Sequence, residues 1–275
     1  MQVVKTKQEL LGLLPNSGSI GLVMTMGALH AGHRRLVDAA VEQCDTVVVS
    51  IYVNPLQFAP NEDFDKYPRQ LEKDLELLQD VDIVFAPSDE EMYPREPLVR
   101  VDPGEVATRF EGETRPTHFA GVLQVVLKVL NLVRPHRAYF GQKDAQQLAL
   151  IRTMVADLDV RTEIVAVPIV RDEDGLALSS RNTYLTGEDR AVALGLVGAL
   201  TAARDAAASG ATPAEAEKIL FDTLSANDAV NVDYATIVNP DTFQPVSSNE
   251  KQGLAVVAAR VGTTRLIDNM EVSFG

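Results

Sequence analysis

The feature that most constrains this chain is a repeated alternation of short apolar, strand-like runs with helix-like segments. Thr46–Val53 (TVVVSIYV) is rich in β-branched residues and apolar almost throughout, as expected for a strand buried on both faces. Similar runs occupy Ile20–Met26, Val81–Phe85, Arg137–Phe140 and Arg161–Val170. Strands that alternate with helices in this way predict an α/β fold, a Rossmann-like doubly wound parallel sheet.

Helical spacing of apolar residues separates these runs. The predicted helices cover His33–Gln43, Leu71–Leu78, His118–Val133 and Ala145–Leu158. Ligands of doubly wound sheets bind beyond the carboxyl ends of the strands. We therefore expect functional residues in four segments that follow predicted strands: Thr25–His33, Asn54–Phe58, Gly141–Asp144 and Arg171–Asn182.

The pattern changes after Asn182. An Ala-rich helix is predicted from Thr186 to about Ala208, and Thr212-Pro213-Ala214-Glu215 has the form of a capping box with proline at the first helical position. Predicted strands follow at Val232–Val238, Leu254–Arg260 and Thr264–Ile267. The sequence thus predicts a larger domain over residues 1–182 and a smaller α+β domain over residues 183–275.

Charge and cysteine content exclude several functions. In 275 residues, 25 Lys and Arg stand against 39 Asp and Glu, for a formal charge of −14. Such a field repels nucleic acid, so a small anion would need a local cluster of cations. Cys44 is the only cysteine, which rules out an intrachain disulfide and a thiolate-rich zinc site. No leader-like start and no apolar run approaching transmembrane length is apparent, so we expect a cytoplasmic protein without membrane contact.

Two of the four histidines, His30 and His33, lie where a strand turns into a helix. Helix N-termini attract phosphate through free N–H groups and a partial positive charge, which also favours neutral imidazoles as donors. Gly32 leaves no side chain where a base or phosphate would lie. The alternative is a pair of capping or surface histidines. The sequence contains no P-loop, no Gly-x-Gly-x-x-Gly and no His-Glu-x-x-His, which argues against other nucleotide sites and against zinc.

Thr25–His33 (TMGALHAGH) resembles the His-x-Gly-His signature of adenylate-forming nucleotidyltransferases. Further motifs, in order and spanning nearly the whole chain, resemble the pantoate–β-alanine ligase family: Ser50–Phe58, Tyr67–Arg69, Arg115–Val122, Tyr139–Asp144, Asp174–Asn182 and Arg265–Asn269. Two positions depart from the family pattern. Met24 replaces a proline, and Gln142 replaces a glutamate.

The resemblance implies a two-step reaction of ATP, pantoate and β-alanine through a pantoyl adenylate. It assigns His30, His33 and Lys143 to catalysis, with His33 as proton donor and stabiliser of the transition state. Charge neutralisation around a phosphate suits these residues better than nucleophilic catalysis does. The implied ATP-binding residues are Met26, Gly27, Ala28, Leu29, His30, Ala31, Gly32, His33, Gly141, Gln142, Lys143, Asp144, Val170, Leu178, Ser179, Ser180 and Arg181.

Gln57 and Gln147 match the family's contacts to pantoate, and neutral amides would hold its polar groups without pairing off the nucleophile's charge. Mg²⁺ is implied by the ATP chemistry, with Asp74 as the expected contact by its position in the family. Ordinary roles are also open: buried structural glutamines, a solvated helix face for Asp74, a solvated turn for Lys143, and capping serines at Ser179 and Ser180. Arg115 and His118 belong to a stretch that could close over the site, or whose Thr117 could cap the following helix. The resemblance further implies a homodimer.

Two rival functions are open at this stage. A different nucleotidyltransferase of the same superfamily would explain His30 and His33, but not Gln57, Gln147 or the second domain. A regulatory protein that binds a nucleotide without catalysis would retain the shell of the site. Such a protein would be expected to have lost one of His30, His33, Lys143 and Arg181, which are all present.

Overall fold

In the computed structural model, which describes residues 1–60, 62 and 64–275, the chain divides into two compact units. The first unit contains Met1–Gln142 and Leu150–Pro168, and the second contains Lys143–Ala149 and Ile169–Gly275. The units are therefore interleaved along the chain. The domain limits predicted from the sequence, at residues 182 and 183, stay a prediction about independently folding parts.

The first unit is built on six parallel strands with helices between them. Its elements are β1 (Gln2–Val4), α1 (Lys7–Leu13), β2 (Ile20–Thr25), α2 (Ala31–Gln43), β3 (Thr46–Ile51), α3 (Leu71–Glu76), β4 (Ile83–Phe85), α4 (Asp89–Met92), α5 (Glu111–Thr114), α6 (His118–Val133), β5 (Arg137–Gly141) and β6 (Glu163–Val167). Helix α7 (Ala145–Asp157) begins in the second unit's segment Lys143–Ala149 and continues in the first unit's segment.

The strand order is β1-β4-β3-β2-β5-β6, and every pairing is parallel. Val23 of β2, Val49 of β3 and Val84 of β4 are completely buried and pack with Val37 and other apolar residues of α2. Burial on both faces explains why these strands are apolar almost throughout. The chain runs outward from β2 to β4 and then returns to β5 on the other side of β2. Ligands of such sheets bind where the strand order reverses in this way.

The second unit contains a separate antiparallel sheet, β7 (Val230–Val238), β8 (Gln252–Val261) and β9 (Thr264–Ser273), in that order. Helices α8 (Gly187–Ala208) and α9 (Pro213–Ser225) pack on it through Leu196, Leu200 and Leu220. Both helices begin at a threonine whose side chain accepts a backbone N–H in a complete capping box, Thr186 and Thr212. The α/β class, with a second and smaller α+β part, is confirmed.

Helix α8 is the one helix of the described residues that is long and apolar enough to cross a membrane, by length and composition alone. No apolar run of this length was expected from the sequence. Six of its residues, among them Leu196 and Leu200, are buried in the core of the second unit.

Several strand limits differ from the prediction, and two of the differences have a clear cause. β6 ends at Val167 because Pro168 has no N–H to donate to a neighbouring strand. β9 extends to Ser273, beyond the predicted Ile267, because all ten of its residues pair with β8. Its polar residues Asp268 and Asn269 hide the strand pattern in the sequence, although both are buried. Met24, one of the two departures from the family pattern, continues β2 in register with Ser50.

Candidate active site

The turn after β2 is held in one unusual backbone shape. Gly27 (φ +83°) and Ala28 (φ +52°) both adopt left-handed conformations. At Gly27 an added Cβ would lie 3.0 Å from the Asp74 carboxylate and 3.3 Å from Ile51, so a side chain there would crowd both neighbours and be strained by φ. Thr25 Oγ1 accepts from the N–H of Gly27 at 3.2 Å and donates to the carbonyl of Ser50 at 3.0 Å.

Asp74, on α3, fixes this turn from the other side. Its carboxylate accepts the N–H of Ala28 at 3.1 Å and the N–H of Leu29 at 2.8 Å, one on each oxygen. The residue is 1% exposed, so a solvated helix face, the alternative considered for it, is wrong. Charge-assisted bonds to backbone N–H groups are among the strong hydrogen bonds of proteins. Asp74 therefore holds a left-handed residue in place.

The two histidines form one unit at the start of α2. His30 is the N-cap, and its Nδ1 accepts the N–H of Gly32 at 3.1 Å. His33 Nδ1 accepts the N–H of His30 at 3.3 Å, and the ring centroids are 4.2 Å apart. A ring nitrogen that accepts a hydrogen bond carries no proton, so the proton of each imidazole lies on Nε2. Capping is thus a real function of both rings, and it orients each Nε2–H as a donor.

Gln57 lies beside this turn. It ends the short helical turn Pro55–Gln57, is 8% exposed, and donates from Nε2 to the sulfur of Met26 at 3.2 Å. Its Oε1 accepts from Asn54 Nδ2 at 3.1 Å, and Asn54 Nδ2 also donates to the carbonyl of Gly121 at 3.0 Å. The first unit thus brings together Met26, His30, His33, Gln57 and Asp74.

Asn54 was not among the site residues predicted from the sequence, although it lies in the predicted functional segment Asn54–Phe58. Asn54 is 1% exposed, caps the Pro55–Gln57 turn and fixes the Gln57 amide. An asparagine before proline at the end of a buried strand was the available signal, because this residue pair favours a turn that its side chain can cap.

Arg115 and His118 form a cluster with Glu62, in which His118 is buried and the other two are half-buried. Arg115 donates to both oxygens of Glu62, with Nε at 2.7 Å from Oε1, and its Nη2 donates to the carbonyl of Gln57 at 3.2 Å. His118 Nδ1 donates to the same carbonyl at 3.0 Å, so its Nε2 faces Arg115 Nη1, at 3.2 Å, as an acceptor. Thr117 occupies the N-cap position of α6 without a capping bond. Arg115 and His118 therefore both bind the main-chain carbonyl of Gln57.

Charge in this cluster follows from its burial. Burial lowers the pKa of His118 to about 4, and the neighbouring Arg115 charge acts in the same direction. For Glu62, burial alone would raise the pKa, but the hydrogen bonds and charge of Arg115 outweigh it and leave the pKa lowered. The cluster at neutral pH is therefore an arginine that contacts a neutral imidazole on one side and a carboxylate on the other.

The second unit contains the other charged residues predicted to bind ATP, namely Lys143, Asp144 and Arg181. Lys143, in the turn Gln142–Asp144, has its Nζ 3.4 Å from Asp144 Oδ1. Lys143 lines a cavity together with Ser179, Arg181, Asn182 and Arg265. Leu178 donates its N–H to the carbonyl of Val170 at 2.9 Å, which brings these two predicted residues together.

Ser179 caps the short helix Ser180–Tyr184 by accepting the N–H of Arg181 at 3.3 Å, so the capping alternative is correct for Ser179. A capping hydroxyl still has its proton to donate. Arg181 and Ser180 are exposed, and Gln147 is half-buried on the first turn of α7. Gly141 and Gln142 belong to the first unit, where Gly141 ends β5.

A parallel sheet whose strand order reverses, with paired histidines at a helix N-terminus after a central strand, defines an α/β enzyme that handles a phosphate-bearing substrate. The family model for pantoate–β-alanine ligase matches residues 2–271. The chain belongs to this family. It is an enzyme, an AMP-forming pantoate–β-alanine ligase, which joins D-pantoate to β-alanine at the expense of ATP.

Individual relatives agree with this assignment. The pantothenate synthetase of Thermobifida fusca (strain YX) is 51% identical over 282 residues, which cover 98% of this chain and 95% of the relative. The crystal structure of pantothenate synthetase from Thermus thermophilus superposes with a TM-score of 0.93 at 48% identity, covering 99% of this chain and all of the other. A pantoate–β-alanine ligase from Francisella tularensis, crystallised with βγ-ATP and β-alanine, gives 0.79 at 35% identity, with 98% and 97% covered.

Proposed function

We propose that the turn Thr25–His33 handles the phosphates of ATP while the chain makes pantothenate in two steps. A carboxylate oxygen of pantoate attacks the α-phosphorus, the bond to the β-phosphate breaks, and diphosphate leaves. The β-alanine amine then attacks the acyl carbon of pantoyl adenylate, the bond to AMP breaks, and the amine loses a proton. The observation that carries this role is the pair of imidazoles whose accepting Nδ1 atoms leave the proton on each Nε2.

Four residues are assigned to binding the negatively charged phosphates of ATP and the departing diphosphate: Lys143, Ser179, Ser180 and Arg181. Support comes from the shared cavity of Lys143, Ser179 and Arg181, which collects cations and a hydroxyl in a chain of net charge −14. Met26–His33, Gly141–Asp144, Val170 and Leu178 are assigned to the rest of the ATP site through the family motifs. On this proposal, residues 1–182 bind nucleotide and pantoate.

Gln57 and Gln147 are proposed to hold pantoate. The Gln57 amide supports this role, because among the described residues its Nε2 donates to a thioether, which is a weak acceptor. A substrate oxygen in place of the Met26 sulfur would be a better acceptor. Asn54 keeps the other end of the amide fixed, so the Nε2 donor faces one direction.

Mg²⁺ is proposed as the counter-ion that ATP brings with it, where it offsets phosphate charge. Among the residues that the structure describes, no three His, Cys, Asp or Glu side chains are grouped to hold a metal. Asp74, the contact expected from the family, is buried and gives one oxygen to each of two backbone N–H groups. This donor set does not fit direct coordination, and no step is assigned to a protein-held ion.

We also propose that the enzyme acts as a homodimer in the cytoplasm, on small molecules and without nucleic acid or membrane partners. Family resemblance supports the dimer, and the acidic composition supports the absence of nucleic acid. Light scattering on the purified protein measures the first of these, with a mass of one chain as the contradicting result.

The reaction is tested by product analysis. Purified protein is incubated with ATP, Mg²⁺, D-pantoate and β-alanine, and each substrate is omitted in turn. We expect pantothenate and AMP in equal amounts, dependent on all three substrates, and exchange of labelled diphosphate into ATP when pantoate is present without β-alanine. Folded, ATP-binding protein that yields neither product would overturn the assignment.

The role of His33 is tested by His33→Ala. We expect a loss of at least about 100-fold in diphosphate exchange, the scale on which a transition-state donor acts, with ATP affinity changed far less. His136→Ala is the matched control, since His136 is an exposed histidine at the amino end of β5. Equal losses of ATP binding and of exchange would contradict a transition-state role for His33.

A further inference from the structure

The motif Arg265–Asn269 carries part of the family resemblance but has no part in the reaction as assigned so far. It lies on β9, and Asp268 and Asn269 are 4% and 5% exposed. Buried polar side chains in a strand require partners, since an unpaired one costs free energy. The partners of these two residues lie in the segments that carry the proposed phosphate donors.

Asn269 contacts the main chain of Lys143. Its Nδ2 donates to the Lys143 carbonyl at 2.9 Å, across 126 positions of sequence. Lys143 lies in the single helical turn Gln142–Asp144. A hydrogen bond to that carbonyl therefore fixes the backbone from which the Lys143 side chain extends.

Asp268 holds the other donor segment through Arg171. Its carboxylate accepts from Arg171 Nη1 at 2.7 Å and Nη2 at 2.9 Å, and Oδ1 also accepts the N–H of Asn269 at 2.8 Å. The Arg171 guanidinium in turn donates to the carbonyls of Gly175 and Asn269, at 3.1 and 3.3 Å. Each of the charged groups is thus surrounded by partners.

Arg171 opens a tight reversal of the chain. Arg171 and Ala177 form an antiparallel bridge, Asp172 donates its N–H to the Leu176 carbonyl, and the Leu178 N–H returns to the carbonyl of Val170. Ser179 follows directly. Arg190 of α8 closes the reversal from outside, with bonds of 2.7 Å to Asp172 and Asp174. The position of Arg171 therefore determines where the backbone of Ser179 and Arg181 lies.

We propose that Asp268 and Asn269 are positioning residues of the ligase, which fix the Lys143 turn and the Arg171–Arg181 segment against one strand. The proposal rests on the phosphate role assigned to Lys143, Ser179 and Arg181. Donors for a transition state must be held close to the productive geometry before the reaction begins, because reorganisation at that moment lowers the rate. A buried ion pair adds little net stability, whereas its strict geometry suits this purpose.

The test compares Asn269→Ala with Asn239→Ala. Asn239 lies in the same unit and loses its bonds to Glu250, Asp241 and Thr242 on substitution, none of which involves Lys143. Hydrogen exchange of residues 143–149 is the first readout. We expect Asn269→Ala to speed exchange there by about tenfold through local opening, and Asn239→Ala to leave it unchanged.

The second readout is a double-mutant cycle with Lys143→Ala, measured as the single-turnover rate of adenylate formation. We expect Asn269→Ala to lower the rate about tenfold, roughly the loss of one hydrogen bond, in the wild-type background. In the Lys143→Ala background the same substitution should change it less than about twofold, because the group it positions is gone. Additive effects in the cycle would overturn the positioning role.

The outcomes separate this inference from the proposed function. Unchanged exchange of residues 143–149 in Asn269→Ala overturns the inference, whatever the rate does. Faster exchange, with a Lys143→Ala enzyme that keeps the wild-type rate, overturns the phosphate role of Lys143 instead and leaves the structural hold intact. Asp268→Asn is the second variant: it keeps the side chain's volume and should speed exchange in residues 170–181, with Asn239→Ala again unchanged there.

Discussion

At the scale of single residues, Asp74 decides the shape of the turn that carries both histidines. Ala28 occupies a left-handed conformation that is costly for any residue with a Cβ. The N–H groups of Ala28 and Leu29 donate to the Asp74 carboxylate, one to each oxygen. The position that the family assigns to a metal contact is here the anchor of the backbone.

Asp74→Asn separates the anchor from the metal role. An amide has one accepting oxygen, so one of the two N–H groups is left facing a donor in a buried place. We expect a loss of about 1 to 3 kcal/mol in the free energy of unfolding, together with slower adenylate formation. Urea unfolding and diphosphate exchange measure the two. Unchanged stability with a raised Mg²⁺ requirement would favour the metal contact.

His118 and Glu62, which both contact Arg115, make stability depend on pH. His118 has its pKa lowered from 6.5 to about 4, so the unfolded chain binds a proton between these values and the folded one does not. The stabilisation is complete above pH 6.5 and is lost as the pH falls through about 4, and the lowered pKa of Glu62 acts in the same direction. For His118 it amounts to about 3 kcal/mol.

His118→Gln removes the titrating ring while keeping an amide near the Gln57 carbonyl. We expect the free energy of unfolding of the wild type to fall from about pH 7 to about pH 4.5, and the variant to show a flatter profile over the same range. Urea titrations at several pH values across this range give both curves. Parallel curves for the two proteins would show that His118 does not contribute to the slope.

At the scale of elements, α6 and the Pro55–Gln57 turn touch backbone to backbone. A Cβ on Gly121 would lie 2.1 Å from the Leu56 carbonyl oxygen and 2.6 Å from the Gln57 nitrogen. Neither atom is the flexible end of a side chain, so the helix or the turn would have to move. Glycine at this position therefore sets how closely the helix approaches the Gln57 turn.

Gly121→Ala should lower the free energy of unfolding by about 1 to 3 kcal/mol and raise the KM for pantoate more than that for ATP. Gly198→Ala on α8 is its matched control, since nothing lies within 4 Å of the added carbon. There the helix propensity of alanine should stabilise the protein by about 0.5 to 1 kcal/mol. Thermal unfolding and steady-state kinetics decide the matter, and similar effects of the two substitutions would refute the close contact.

Elements with strong periodicity were predictable from sequence, and those fixed by remote partners were not. The type of element was predicted correctly for strands β2, β3 and β5 and for helix α6, because the apolar pattern of each follows directly from its burial. β9 was predicted too short because its buried Asp268 and Asn269 are polar. Their partners, Arg171 and Lys143, lie 97 and 126 positions away in the sequence. The partners of Asp74 and the Glu62–Arg115 pair likewise depend on tertiary contacts that no local pattern encodes.

At the scale of the whole molecule, the C-terminal segment carries its own core. Apart from Leu176, the buried cluster of the second unit consists of residues between Ala193 and Phe274. Helices α8 and α9 with the three-stranded sheet are thus a candidate for independent folding. The domain limits predicted at residues 182 and 183 can be tested directly on this piece.

We expect residues 183–275, expressed alone, to unfold cooperatively in urea as judged by circular dichroism. Leu220→Ala, at a fully buried position, should destabilise the piece by about 2 to 5 kcal/mol, whereas Phe221→Ala, at a half-exposed neighbour, should change it by less than about 1 kcal/mol. A gradual, non-cooperative transition, or equal effects of the two substitutions, would show that the segment is not a domain.

The bond between Asn269 and Lys143 also gives the molecule an order in time. A ribosome that adds about 5 to 20 residues per second releases Asn269 roughly ten seconds after Lys143. During that interval the nascent chain already contains the lysine, the two histidines and, before long, Arg181, but not the strand that steadies the lysine's backbone. On the positioning role proposed for Asn269, the Lys143 backbone is held only after β9 has been synthesised and has paired with β8.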